Sequence, residues 1–436
     1  MASSARTPRL KAMLAREAYS LLLRALMPAY LGRLWWRGRR EPGYRLAWRE
    51  RLGHGAGAAG PGRLWIHAVS LGETRAAAAL IEALRRARPG IRLLLTHGTA
   101  TGREAGARLL REGDLQAWLP YDTPGAVARF LDHHRPVAGV LLETEVWPNL
   151  MREARRRHVP VVLANARLSE RSLAKARRMA ALMRPAVAAL SSVLAQTEDD
   201  ARRLRAAGAD AVAVFGNLKF DVTPDSHAVA RGLAWRRHLT RPVVMAASTR
   251  EGEEGPLLDA WLSQPSPRPL LLLVPRHPQR FDEVAQMVER AGLSCVRRSA
   301  WRGAPPPEAA EADVWLGDSV GEMPVFYGMA DVALLGGSFA RLGGQNLIEA
   351  AACGCPVVMG PHTFNFAEAS RLAADAGAAL RVRDIDEGVA RAVALARDPA
   401  HAQRVEQALA FTAAHRGAAD RMAVAIGAFL DAPRRC

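Results

Sequence analysis

The sequence predicts an α/β protein of two doubly wound, Rossmann-like domains, each a parallel sheet covered by helices on both faces. Three observations carry that prediction. From Leu64 onward, short apolar runs alternate with stretches of helical spacing, the signature of successive βα units. The alternation lapses once, over Lys219–Arg241, and then restarts. Polar clusters follow the apolar runs directly, at the strand ends where open α/β sheets collect their ligands. A length of 436 residues suits two or three domains, and at 49% hydrophobic residues there is material for large cores.

Residues 1–50 come first as a separate segment. Tyr19–Trp36 is the most apolar part, but Arg24, Pro28 and Arg33 interrupt it, so it falls short of a spanning helix. Trp35 and Trp36, followed by Arg37, Arg39 and Arg40, have the character of an interfacial anchor. The segment is therefore expected to lie on an anionic membrane surface, the alternative being a helix packed on the protein's own core. Arg6, Arg9 and Lys11 precede the apolar stretch, which lacks a small-residue cleavage site, so no cleavable signal peptide is predicted.

The first domain is placed at 51–220, with strands at Leu64–Val69, Ile91–Thr96, Val137–Leu142, Val159–Ala164, Ser192–Ala195 and Ala211–Phe215. In Trp65–Arg75 a strand meets a turn at Ser70, Leu71 and Gly72, and Glu73 opens an alanine-rich helix. A carboxylate in a first helical turn offsets the helix dipole, and the same position at a strand's carboxyl end suits chemistry. The residues alone leave both roles open. The same edge carries His97-Gly98-Thr99, Tyr121-Asp122, Glu143 and Glu145 before Trp147-Pro148-Asn149, and Asn165-Ala166-Arg167. Glu143 and Glu145 would need further oxygen ligands to hold a metal, and no Asp-x-Asp or histidine cluster supplies them. Neither a metal nor a cofactor is predicted.

Residues 221–241, with Pro224 and a Pro242 just beyond, read as an interdomain linker with a short helix. The second domain is placed at 242–436, with strands Val243–Ala247, Leu270–Val274, Leu293–Val296, Val314–Leu316, Val332–Leu335 and Val357–Met359, closed by helix from about Pro399. Gly336–Glu349 is glycine-dense and leads into a helix; it suits close backbone approach to a phosphate, with Gly337 and Ser338 in the loop and Asn346 at the helix start. It is neither a Walker A nor a G-x-G-x-x-G sequence. Glu349 could accept bonds from ribose hydroxyls. Three more clusters end strands of the same domain: Ser248–Glu254, Arg276–Arg280 with His277 between its arginines, and Gly317–Glu322. Arg276 and Arg280 offer forked donors for a phosphate or carboxylate.

The formal charge of +17 would suit nucleic acid or an anionic membrane. Only Lys11, Lys175 and Lys219 are lysines, however, and an arginine- and alanine-rich bias also follows from codon usage in a GC-rich genome. Aromatics are few and do not interleave with the arginines as stacking platforms, so no nucleic-acid partner is predicted. Cys295, Cys353, Cys355 and Cys436 lack paired metal spacing, and reduced cytosol is the natural compartment.

Two such domains facing across a cleft describe a nucleotide-sugar glycosyltransferase of the GT-B architecture. The strings W-I-H-A-V-S-L-G-E, L-L-E-T-E-V-W-P-N-L, A-N-A-R-L-S-E-R-S, G-N-L-K-F-D, V-P-R-H-P-Q-R-F, G-D-S-V-G-E-M and M-G-P-H-T-F-N-F occur in this order. Together they resemble the 3-deoxy-D-manno-octulosonic acid (Kdo) transferases of lipopolysaccharide assembly, from about Tyr19 to the C-terminal helix. The resemblance implies transfer of Kdo from CMP-Kdo to a lipid A precursor with inversion, at the cytoplasmic face of the inner membrane. It makes Glu73 the general base, beside Ser70 and Gly72, with Glu143 or Glu145 shaping the acceptor side. Arg276 and His277, the Gly321, Glu322 and Met323 loop, Gly337, Ser338, Asn346 and Glu349 would hold the donor. Arg250 and Gln345 stand where the family pattern has histidine, so no histidine-dependent role is carried there. The helix N-terminus should keep Glu73 ionised, with acceptor-side desolvation making it basic enough. A UDP-sugar transferase or epimerase is the alternative within this architecture, and a basic nucleic-acid-binding protein the alternative outside it.

Overall fold

The computed structural model describes residues 6–55 and 60–431, the side chains of 6–9 excepted; Cys436 lies outside them. The chain forms two compact units, one of residues 1–222 with 416–436 and one of residues 223–415.

The first unit is built on a parallel sheet of β1 Leu64–His67, β2 Leu93–His97, β3 Leu115–Trp118, β4 Ala138–Leu142, β5 Val161–Ala166, β6 Ser192–Ala195 and β7 Val212–Val214, in the order β3-β2-β1-β4-β5-β6-β7. Successive residues of β1 serve opposite faces. Leu64 and Ile66 join one apolar cluster with Leu80 and Leu84, whereas Trp65 joins another and meets Phe130 edge-on at 5.4 Å. Apolar residues on both faces are what a parallel sheet sandwiched between helix layers requires. The strand order reverses between β1 and β4, and Glu73 and Glu143 follow those two strands. The third strand was not anticipated, because Leu115 and Gln116 at the sheet edge are only half-buried and break the apolar run.

The closing helix departs from the expected division. Ala418–Asp431 belongs to the first unit, not the second. Its stripe of Ala419, Met422, Ala423 and Ile426 packs into the cluster of Ile66, Leu80 and Leu84. Arg86 bonds Asp420 at 2.6 Å, and Arg88 pairs with Asp431.

The N-terminal segment is one helix, Arg6–Arg37, with Pro28 inside it, followed by single turns at Pro42–Arg45 and Trp48–Leu52. Among the described residues no helix is long and apolar enough to cross a membrane. The turns dock on β3: Glu50 accepts from the Trp118 backbone N–H at 2.8 Å and pairs with Arg103, and the Arg51 guanidinium lies over the Trp118 ring at 3.9 Å. The helix buries Ser20 and Leu34 but leaves Leu21, Leu22, Trp35 and Trp36 between 49% and 64% exposed.

The second unit repeats the plan with β8 Val243–Thr249, β9 Leu270–Pro275, β10 Cys295–Arg297, β11 Val314–Leu316, β12 Val332–Leu335, β13 Val357–Met359 and β14 Ala379–Arg381, ordered β10-β11-β9-β8-β12-β13-β14. Its order reverses at β8, between β9 and β12. The expected linker is largely helix Ser226–Arg237, capped by Asp225 and packed on helix Met323–Met329. Gly232 permits that contact, since a Cβ there would fall 2.0 Å from the Val325 carbonyl oxygen.

Candidate active site

At the carboxyl edge of the first sheet, Ser70 is the N-cap of helix Leu71–Ala87, and its hydroxyl oxygen accepts from the Glu73 N–H at 3.4 Å. Glu73 reaches back: one carboxylate oxygen accepts from the Val69 N–H at 2.8 Å and the other from the Ser70 hydroxyl at 3.3 Å. This reciprocal arrangement is a capping box one residue extended, so the helix-start role of Glu73 is real. It also fixes the carboxylate at the mouth of the strand. Burial pushes its pKa up to about 7, against the Val69 bond, and Glu143 and Glu145 push in the same direction. Desolvation thus outweighs the Val69 bond that favours the ionised form. Gly72 is exposed beside it.

Glu143 is buried, sits at a left-handed φ of 58° immediately after β4, and accepts from the Arg167 guanidinium at 2.8 Å. Asn165, in β5, also has a left-handed φ, at 51°. Left-handed backbone at residues other than glycine is costly and concentrates at functional sites. Glu145 accepts from the Trp147 indole N–H at 2.8 Å, and burial raises its pKa, with Glu143 adding to the rise. Lys219, in the single turn Leu218–Asp221, completes the group: burial lowers its pKa, and it feels the charges of Glu143, Arg167 and Glu73. Lys219 was not among the predicted site residues; its signals were its place in the G-N-L-K-F-D string and being one of three lysines in a chain of arginines.

Beneath the edge lies a layer of buried polar groups. His67 bonds Thr96 Oγ1 at 2.9 Å, Trp65 donates to the same oxygen at 2.7 Å, and His97 bonds the Ala68 carbonyl at 3.0 Å. Burial drives His67 to about 3 and His97 to about 4. Thr99 caps its own helix and donates to the Val69 carbonyl at 3.1 Å, on the residue that holds Glu73. Asp122 caps helix Pro148–Arg156 through the Asn149 and Leu150 N–H groups at 3.0 and 2.7 Å, and burial pushes it up to about 7. These residues support the edge from below.

In the second unit the glycine loop follows β12, beside the end of β8. A Cβ on Gly336 would lie 2.4 Å from the Ser248 carbonyl, and Ser248 has a φ of 57°. Buried Glu253 is the centre of this region. It accepts from the N–H groups of Gly337 at 2.7 Å, Arg250 at 3.0 Å, and Phe339 and Ala340 at 3.3 Å each. The Gly337 N–H expected to face a phosphate is therefore held by a carboxylate of the protein. Ser338 is corrected likewise. It is fully buried, donates to the Leu335 carbonyl at 2.5 Å and accepts from the Gly360 N–H at 2.8 Å. A serine hydroxyl has one proton to give, and this one is used under the loop.

Asn346 caps helix Leu347–Ala352 through the Ile348 N–H at 3.2 Å, and Glu349 is half-buried one turn on. Arg276 and His277 are exposed after β9, and burial followed by Arg250, Arg276 and Arg280 keeps the His277 pKa low. Arg280 is tied to Glu254 at 2.7 Å and Glu283 at 2.9 Å, which leaves Arg276 as the arginine without an ion pair there among the described residues. Glu322 is clamped by Arg298 at 3.0 Å, Arg231 at 3.2 Å and the Ser319 hydroxyl at 2.6 Å. It braces the loop of Gly321, whose φ is 88°, and of Met323, whose sulfur lies 4.0 Å from the Ser248 hydroxyl. Among the described residues no group of three or more His, Cys, Asp or Glu side chains could hold a metal ion.

Residues 46–222 match the family described as 3-deoxy-D-manno-octulosonic-acid transferase. A 3-deoxy-D-manno-octulosonic acid transferase from Bordetella pertussis is 50% identical over 93% of this chain and 97% of its own length. One from Haemophilus influenzae is 33% identical over 87% of this chain and 90% of its own. Among solved structures, Anabaena HepE in complex with UDP matches with a TM-score of 0.56 at 15% identity, covering 84% of this chain and 99% of that one. At that identity the likeness concerns the fold, and it agrees with the GT-B class.

Proposed function

The chain belongs to the 3-deoxy-D-manno-octulosonic acid transferases and is a glycosyltransferase, and from that premise we propose a specific reaction. The protein transfers Kdo from CMP-Kdo to a hydroxyl of a lipid A precursor, with inversion and with Glu73 as general base. The acceptor oxygen bonds to the anomeric carbon as the bond from that carbon to the CMP phosphate breaks. CMP leaves with the electron pair, and the hydroxyl proton passes to Glu73. The observation that carries the reading is a capped, immobilised carboxylate at the strand end with a pKa of about 7, near the value at which a general base works best at neutral pH. Lys219 and Arg167 partly offset its acidic neighbours and favour an anionic acceptor. In the second unit Arg276 would meet the donor phosphate, the Gly321–Met323 loop the nucleotide, and Asn346 and Glu349 the phosphate edge and ribose. A nucleoside monophosphate is already a good leaving group, so fixed donors suffice to stabilise its developing charge. The exposed apolar residues of helix Arg6–Arg37 lie on the cytoplasmic face of the inner membrane.

Purified protein given CMP-Kdo and a lipid A precursor should yield CMP and a product heavier by one or more Kdo residues in mass spectrometry. CMP should raise the melting temperature more than UDP does, by mass action on the native state. Absence of product, or stabilisation by UDP and not CMP, overturns the donor assignment.

A further inference from the structure

Helix Arg6–Arg37 does not lie flush on the first unit. Together with helices Pro148–Arg156 and Ala180–Val187 it walls a groove of about 430 Å³, within the range of small-ligand sites. Apart from Pro148, which opens helix Pro148–Arg156, none of the lining residues belongs to the Glu73 edge. Ala12, Leu182, Pro185 and Ala189 make an apolar floor, and Arg16, Arg152, Arg155 and Arg156 stand around it. The acidic groups among them are fewer: Glu17 pairs with Arg16 at 2.9 Å, and buried Glu153 takes Arg152 at 3.0 Å and Arg156 at 3.4 Å. Glu153 is also engaged by Arg157 at 2.6 Å, so a single carboxylate faces three guanidinium groups. Arg155 is exposed and has no ion pair among the described residues. A guanidinium has five N–H donors, and one carboxylate contact leaves most of them available.

We propose that this groove binds one anionic phospholipid of the surrounding bilayer, its phosphate among the arginines and an acyl chain along the apolar floor. The inference rests on the membrane-surface reading of helix Arg6–Arg37 given above. Two observations select this occupant. Net positive charge over an apolar floor complements a molecule that is anionic at one end and aliphatic at the other, and arginine forks match phosphate oxygens. Arg16 also has Met13, which is 46% exposed, three residues before it on the adjoining helix face, so exposed apolar surface borders the groove. Basic pockets between helices beside such surface recruit anionic headgroups. An acidic peptide would satisfy the arginines and leave the apolar floor unused.

The full-length protein is titrated calorimetrically with short-chain phosphatidylglycerol below its micelle concentration, and in parallel with short-chain phosphatidylcholine and an acidic peptide. One saturable phosphatidylglycerol site is expected, with the other two ligands at least about tenfold weaker. Ala189→Trp, which fills the floor, and the exposed pair Arg155→Glu with Arg156→Glu should each weaken phosphatidylglycerol about tenfold. The charge reversal keeps the test decisive if the tryptophan variant misfolds. No saturable site, equal binding of phosphatidylcholine or the peptide, or unchanged affinity in folded variants overturns the proposal. Sedimentation with anionic vesicles separates it from the anchor reading: Ala189→Trp should still sediment, and protein lacking residues 1–40 should not. If the full chain fails to sediment, the anchor reading falls, and the calorimetry still decides the groove.

Discussion

At the carboxyl edge of the first sheet, three carboxylates from two strand ends crowd together and are only partly compensated. Glu143 has Arg167, Lys219 lies near, and Glu73 and Glu145 are left with raised pKa values. At the corresponding edge of the second sheet the acids are matched within the protein. Glu253 is held by four backbone N–H groups, Glu322 by two arginines, and Asp318 by Arg297 at 2.7 Å and Ser299. One edge leaves carboxylates with raised pKa values and little compensation; the other uses its carboxylates to hold loops still. Proton transfer needs a group whose charge is unsettled, whereas binding needs donors fixed before the ligand arrives.

The sharpest way to break that contrast is to neutralise Glu73. Glu73→Gln keeps an acceptor for the Val69 N–H and removes the base, so kcat for Kdo transfer should fall by about 10²–10⁴-fold with CMP affinity unchanged. A variant retaining most of its turnover would make Glu73 a cap and nothing more. The matching change in the second unit is Glu253→Gln, which leaves one carbonyl oxygen for the four N–H groups. Losing charge-assisted bonds worth about 2 kcal/mol in all should weaken CMP by at least about tenfold, with kcat at saturating donor close to that of the parent. Calorimetric titration and steady-state kinetics check both halves, and a loss confined to kcat would reverse the assignment.

Lys219 tests how far the first edge depends on its compensating charge. Lys219→Met removes a cation that favours the ionised carboxylates, so Glu73 becomes harder to ionise. The rising limb of the pH–rate profile, expected near pH 7 for the parent from the raised Glu73 pKa, should move to higher pH, and the deficit should shrink as pH rises. Lys219→Arg keeps the charge and should keep the limb in place. A uniform loss at every pH would mean that Lys219 acts by packing alone.

Much of this contrast could be read from the residues, and the remainder depended on distance along the chain. The βα alternation and the placing of Glu73 after β1 follow from local spacing, which is why Glu73, Glu143 and Glu145 were found together. Ser338 misled because a serine among glycines resembles a phosphate donor, and its partner Gly360 lies 22 residues away. Glu253 stood within a polar cluster, but its hold on Gly337 spans 84 residues. The apolar stripe of Ala418–Asp431 declared a buried face without declaring which sheet would receive it. Strand β14 escaped because two of its three residues are exposed.

The smallest effect concerns stability. Glu73 and Asp122 have folded pKa values of about 7, above their ordinary values of 4.5 and 3.8. Between those limits the native state binds more protons than the unfolded chain, so stability falls as pH rises through the window and levels off above it. Glu73→Gln removes one of the two titrations and leaves the Asp122 contribution in place. The melting temperature of the variant relative to the parent should therefore climb between pH 5 and pH 8, while both curves still decline. Near pH 4.5 the parent's Glu73 is protonated in the native state, and the difference reduces to exchanging one neutral side chain for another. Calorimetric scans across that range measure the difference directly. A constant offset would mean that the Val69 and Ser70 bonds to the carboxylate outweigh its burial, and the reading of Glu73 as a base near neutrality would lose its physical support.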